Sequence, residues 1–353
     1  MIKYNLKQHG RASLDFLASL GPSMANLMKK QSNELDKSGI NEDTLLDDLD
    51  ERSSQIEEVL VKSSAFRSQN LLGEWHSEHH ARIATAAFKE IENELKEEFD
   101  KFQNGKTSLK LNPSLEIPKY WRYPIHRTTG GWDGHEHMGF IHGELIHRKV
   151  VGKAMTPAGG TAYNDINADR LKFASAAPRR DYKVILEVGC ASGAYTSKLS
   201  EVFPHARILG CDISASQLMH AQRNGNVLDY AWELFQADGR NTGIEEKSVD
   251  LFTSYIILHE LPVEIITDIL KEGFRVLNTG GELFFGDVAP YKAMNKMSSW
   301  RTDYLARFGG EPFWRGSATI DMVNIMKDIG FTDIKYHGME PKNYPWITYG
   351  RKP

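Results

Sequence analysis

The chain has only two cysteines in 353 residues, Cys190 and Cys211. A disulfide framework and a cysteine-based zinc motif are therefore excluded. No run of 18 apolar residues occurs, so no membrane span or membrane partner is expected. The opening residues lack the apolar core of a secretory signal, which makes a reducing, cytoplasmic setting the default. Basic charge is not in excess either. Lys and Arg number 43 against 47 Asp and Glu, a formal net charge of −4. A dedicated nucleic-acid binder would carry a basic surface, so no nucleic acid is expected as partner. The dinucleotide fingerprint G-x-G-x-x-G is missing as well, which argues against a nicotinamide or flavin oxidoreductase.

What is present is the composition of a globular protein, 41% hydrophobic and 25% charged. Residues 1–110 read as mostly helical. Asn41-Glu42-Asp43 is a plausible helix start ahead of Leu45, Leu49, Ile56 and Leu60, and a long helix is expected from about Glu74 to Phe102. Residues 111–165 carry Pro113, Pro118 and Pro124, then a dense polar and aromatic segment suited to lining a pocket. From Asp181 strands and helices alternate, the mark of a parallel sheet. Strands are expected at 184–188, 207–211, 234–237, 249–255 and 282–287, with a terminal antiparallel hairpin from 331–337 and 345–350.

The stretch 183–196, Lys-Val-Ile-Leu-Glu-Val-Gly-Cys-Ala-Ser-Gly-Ala-Tyr-Thr, organises the second half. Glu187 interrupts a buried apolar run near its C-terminal end, where open α/β sheets bind ligands. Gly189 and Gly193 bracket the turn that follows, where glycine permits close ligand approach. Asp212 ends the second strand, where an acid can accept from both hydroxyls of a ribose. Asp238-Gly239 ends the third; alone it reads equally as a turn.

These residues resemble the first motif of the class I S-adenosylmethionine (SAM)-dependent methyltransferases, E/D-x-G-x-G-x-G, with Ala191 at the middle glycine. The resemblance covers about 180–353. It implies a Rossmann-like α/β fold of seven strands, with a helical domain over 1–165 ahead of a cofactor-binding domain over 166–353. It also implies SAM as cofactor and S-adenosylhomocysteine as product. Glu187, Gly189, Cys190, Ala191, Gly193, Asp212, Ile213, Asp238, Gly239 and Tyr255 would contact the cofactor, and Tyr163 could close over it. Cys190 reads as a packing residue rather than a nucleophile.

His259, in Tyr255-Ile256-Ile257-Leu258-His259-Glu260-Leu261-Pro262, is the catalytic candidate. It could be a general base, or a buried hydrogen-bonded imidazole closing the cofactor site. The motif [D/N]-P-P-[Y/F] is absent, which counts against methylation of nucleobase amines. Trp132, His135, His142, Tyr291, Arg301, Tyr304, Arg307 and Trp314 are substrate candidates. For those in 287–316, packing against the N-terminal helices is the competing reading. His135, Glu136, His137, His142, Glu144 and His147 match no closed zinc site, and no metal is expected.

The function expected is methylation of a small, carboxylate-bearing metabolite at sulfur or oxygen. The overall plan resembles small-molecule O-methyltransferases. It also resembles the bacterial S-methyltransferases of dimethylsulfoniopropionate synthesis, which act on 4-methylthio-2-hydroxybutyrate. A hydroxyl acceptor would use His259 as base; a thioether would need it only to orient. A SAM-binding scaffold without activity is the reading from another class. The N-terminal helices would pair two subunits or cover the site.

Overall fold

A computed structural model describes residues 2–128, 131–151, 166–341 and 343–353 of the chain. Tyr163 lies outside the described residues. The organising element is an eight-stranded sheet: β1 (Ser108–Lys110), β2 (Val184–Val188), β3 (Arg207–Asp212), β4 (Glu233–Gln236), β5 (Val249–Tyr255), β6 (Leu277–Asp287), β7 (Thr332–Gly338) and β8 (Trp346–Arg351). Their order is β1-β4-β3-β2-β5-β6-β8-β7. β1 to β6 run parallel, and β8 pairs antiparallel with β6 and β7. This is the Rossmann-like sheet with a terminal hairpin, with one strand more than expected. β1 comes from the N-terminal half and docks on β4 through Ser108↔Glu233 and Lys110↔Phe235.

Alternation along each strand builds two apolar layers. Ile185, Leu251, Tyr255 and Phe284 face Phe173, Tyr195 and Trp232 on one side. Leu186, Val188, Phe252 and Leu283 face Ile266, Leu270 and Met326 on the other. This parity decides which residues reach the site.

In the N-terminal half, helices Gln8–Lys37, Ser64–Lys89 and Glu92–Lys101 share a core with Leu14, Leu17, Ala84, Phe88, Phe140 and Ile141, while helix Leu49–Leu60 packs Ile56 and Leu60 in a second cluster with Leu35, Phe66 and Trp300. The second helix begins at Leu49 rather than at 41–43, because Asp48 accepts from Asp50 N (2.9 Å) and Glu51 N (3.0 Å). Asn41 instead closes a local turn, accepting from Asp43 N at 3.0 Å. The helix expected over 74–102 starts earlier, capped by Ser63, and breaks after Lys89. Glu90, in the break, accepts from Gly10 N at 3.0 Å.

Candidate active site

The turn after β2 is set by backbone geometry. Gly189 has φ +70°, and a Cβ there would lie 2.3 Å from Ile257 Cδ1. Gly189 N and Cys190 N donate to Cys211 O at 2.9 and 3.1 Å, and Ala191 N donates to Asp212 Oδ2 at 2.9 Å. Asp212 Oδ1 accepts from Ser214 N at 2.9 Å. Burial raises the Asp212 carboxyl to about 6 against the pull of these two N–H groups. Asp212 thus ends β3 as an oriented carboxylate beside the glycine turn.

A pocket opens there, at the C-terminal ends of the parallel strands. It is lined by Gly189, Asp212, Ile213, Gly239, Glu260 and Trp132, with Val188, Ala237, Ile257, Leu261 and Ile269 as apolar walls. Tyr120, Trp121 and Ile125 close it from the N-terminal half. Trp121 Nε1 donates to Asp133 Oδ2 (2.7 Å), and Ser214 Oγ donates to Asp133 Oδ1 (2.5 Å). Trp121 and Asp133 are thereby tied to the cap of helix Ala215–Val227.

Several expected cofactor residues stand elsewhere. Glu187 shares the sheet face of Ile185, opposite Val188, and is buried accepting from Thr196 Oγ1 at 2.6 Å. Burial and the nearby Asp212 raise its carboxyl to about 8. Tyr255 points to that same face and packs on Phe173 and Tyr195. Cys190 is buried in that layer with its thiol pushed well up by burial, as a packing residue would be. Gly193, at φ +82°, starts helix Ala194–Val202 and leaves room for Trp232 rather than for a ligand. Asp238 is held by Arg240, whose Nε and Nη2 donate at 3.0 and 2.6 Å. Its neighbour Gly239 lines the pocket instead.

His259 lies behind the pocket wall. Its Nδ1 is 2.9 Å from Asp287 Oδ1, its Nε2 is 4.0 Å from Glu260 Oε1, and its ring packs on Trp314 at 5.2 Å between centroids. Burial alone would lower its pKa; Asp287, Glu260 and Glu311 outweigh that and raise it to about 9. These acids favour the protonated form of His259, and its place behind the wall is that of the buried, hydrogen-bonded imidazole rather than of a base at the acceptor.

Glu260, Asp287 and His126 carry the site's charge and were not singled out in the sequence. Asp287 ends β6 just as Asp212 ends β3, the one sequence signal that could have pointed to it. Glu260 accepts from Trp132 Nε1 (3.3 Å) and pairs with His126 Nε2 (3.1 Å). Burial would raise the Glu260 carboxyl, but His126 and His259 keep it low. His126 also contacts Glu311 through Nδ1, and against the cost of burial these two acids raise it to about 10.

Of the expected substrate residues, Trp132 lines the pocket. His142 packs behind it with the rings tilted by 59° and centroids 4.1 Å apart, and burial holds its pKa well below the usual value. His135 packs on Phe88, away from the pocket. The residues of 287–316 mostly serve the helical interface. Arg301 Nη2 donates to Ser32 Oγ (2.8 Å), Asn70 Nδ2 donates to Tyr304 Oη (2.7 Å), and Arg307 pairs with Glu57 (2.5 Å) and Asp303 (2.9 Å). Tyr291 is buried beside Asp303. On helix Lys296–Phe308, Lys296 and Arg307 thus pair with Asp47 and Glu57 of the N-terminal half, and Arg301 reaches a serine there. Among the described residues, the one grouping close enough to share a metal is Glu92, Glu136 and His137, away from the pocket.

A family profile described as a methyltransferase domain matches residues 185–281. Malonyl-[acyl-carrier protein] O-methyltransferase of Legionella pneumophila is 26% identical over 173 residues, covering 49% of this chain and 55% of that protein. Arsenite methyltransferase of Rattus norvegicus is 28% identical over 162 residues, covering 42% and 41%. The chain spans about half the length of the curated relatives it matches. Among solved structures, Haemonchus contortus phosphoethanolamine N-methyltransferase 2 in complex with SAM overlies it with a TM-score of 0.41 at 15% identity, covering 54% of this chain and 53% of that one.

Proposed function

We propose that this chain, which carries a methyltransferase domain at residues 185–281, is a SAM-dependent methyltransferase whose small-molecule acceptor has no proton to lose. SAM supplies an electrophilic methyl group on a cationic sulfur. The residues present fit it. Gly189 brings bare backbone to the pocket wall, and Asp212 offers a fixed carboxylate of the kind that accepts from ribose hydroxyls. Ile213, Ala237, Gly239 and Ile269 give an apolar slot for a purine. The chain's own part in catalysis is to orient and to exclude water: Tyr120, Trp121 and Ile125 cover the pocket, and Glu260 and Trp132 form its far wall.

The observation that carries the acceptor class is the placement of His259, buried behind the pocket wall with Nδ1 2.9 Å from Asp287, where the surrounding acids favour its protonated form. Glu260 is already occupied by His126 and Trp132. A hydroxyl acceptor would need a base that neither provides, whereas a thioether sulfur attacks with an existing lone pair. This supports S-methylation of a thioether over O-methylation of an alcohol. 4-Methylthio-2-hydroxybutyrate is the named candidate. Its thioether suits the pocket better than its carboxylate does, because no Lys, Arg or His is among the described residues lining the pocket. A carboxylate oxygen likewise carries no proton at neutral pH, so the likeness to a malonyl-[acyl-carrier protein] O-methyltransferase makes it the second reading.

Calorimetric titration with SAM and S-adenosylhomocysteine, then mass spectrometry on thioether acids, carboxylic acids and alcohols, tests this. The expected result is cofactor binding and methyl gain on a thioether, with no rise in rate between pH 6 and 8. An alcohol as sole acceptor would sink the thioether reading, and absence of cofactor binding would sink the enzyme reading.

A further inference from the structure

Five ionisable side chains meet behind the pocket wall. His126 faces a carboxylate with each ring nitrogen, Glu260 at 3.1 Å and Glu311 on the other side. An imidazole flanked in this way donates from both nitrogens and is a cation. His259 sits between Asp287 at 2.9 Å and Glu260 at 4.0 Å, which favour its protonated form. Even with both imidazoles protonated, two positive charges stand against three carboxylates, Glu260, Glu311 and Asp287. The sum is then one uncompensated negative charge, and Glu311, 7% exposed, has one oxygen with no partner. Buried charge without a counter-charge is costly. Of the five groups only Glu260 lines the pocket, beside the aromatic side chains of Trp132, Trp121 and Tyr120, and no Lys, Arg or His is among the lining residues described. A carboxylate among aromatic faces attracts a cation.

We infer that this cluster is built one positive charge short, and that Glu260 makes the pocket selective for a ligand bearing a single sulfonium. The inference rests on the methyltransferase reading and deepens it. Two ligands carry that chemistry, the cofactor before transfer and a sulfonium product after it. Methyl transfer to a thioether conserves the charge, since the acceptor sulfur gains what the cofactor sulfur loses. Glu260 would then discriminate charged from uncharged ligands of nearly equal shape.

Calorimetry on the full chain tests this without turnover. Wild type is expected to bind SAM about tenfold more tightly than S-adenosylhomocysteine, and E260Q to erase that ratio while keeping S-adenosylhomocysteine within about twofold. E260D, which keeps the charge, should keep the ratio. In a second arm, a dimethylsulfonium carboxylate and its thioether parent are titrated into the S-adenosylhomocysteine complex. A preference for the sulfonium that E260Q abolishes, with the cofactor ratio unmoved, assigns the site to the product. If wild type prefers neither cation over its neutral partner, or E260Q weakens charged and neutral ligands alike, the inference is overturned. Should E260Q fail to fold, the wild-type ratios decide. Failure to bind either cofactor form would instead overturn the methyltransferase reading.

Discussion

Replacing Asp287 by Asn tests the electrostatics of the site most directly. Asp287 accepts from Ile257 N (2.8 Å), Leu258 N (2.6 Å), Val288 N (2.7 Å) and His259 Nδ1 (2.9 Å). Asn keeps the shape and removes the charge. His259 is buried at 5% exposure and lifted from 6.5 to about 9, chiefly by Asp287 against the cost of burial. At about 1.4 kcal/mol per pKa unit, that shift is worth about 3 kcal/mol. Because the folded-state pKa is raised, this stabilisation is complete below about pH 6.5 and is lost as pH rises through about 9. The backbone bonds add a share independent of pH. D287N should therefore destabilise the protein by about 3 kcal/mol more at pH 6 than at pH 9.5, measured by urea unfolding at both values. Imidazole nitrogen NMR should find His259 protonated through pH 8 in wild type and titrating at least about one unit lower in D287N. An ordinary His259 pKa in wild type, or an equal loss at both pH values, would refute the reasoning and reopen the general-base role.

Two further outcomes follow from the geometry. Gly189→Ala places a Cβ 2.3 Å from Ile257 Cδ1 at φ +70°, which should cost about 2 kcal/mol or more in thermal unfolding and abolish S-adenosylhomocysteine binding; normal binding would deny that this turn cradles the cofactor. Arg307→Met breaks the pairs with Glu57 and the fully buried Asp303, so it should cost about 3 kcal/mol of stability. It should leave the KM for the acceptor unchanged, and a raised KM with intact stability would return Arg307 to the substrate pocket.

The sheet was legible because strands buried on both faces read as short β-branched runs. Val184–Val188 and Val249–Tyr255 begin and end where the residues predict. The eighth strand was not, since Ser108–Lys110 is three residues long and draws its stability from pairing with β4. Gly189, Asp212 and Ile213 were legible in the site because they lie at strand ends next to their own motif. Glu187 and Tyr255 lie on the sheet face away from the pocket for a reason of parity. Where apolar residues occupy both faces of a strand, the pattern does not reveal which face meets the pocket. Arg301 and Arg307 follow the packing reading, since a long side chain with several donors fits a polar partner on the N-terminal helices as well as a substrate carboxylate.

Local spacing along the chain thus determined the strand–turn–helix end of the pocket: the left-handed glycine turn, the acid that closes β3 and the alternation that builds the parallel sheet. The far end of the pocket was decided only by folding. His126, Glu260, Asp287 and Glu311 are scattered over 186 positions of sequence and acquire their charge states from one another. A histidine with an ordinary pKa near 6.5 is pushed toward its cation only when the carboxylate at the end of β6 is brought against it out of water. Spacing in sequence carries backbone geometry; the protonation of a buried group belongs to the neighbours that tertiary structure supplies.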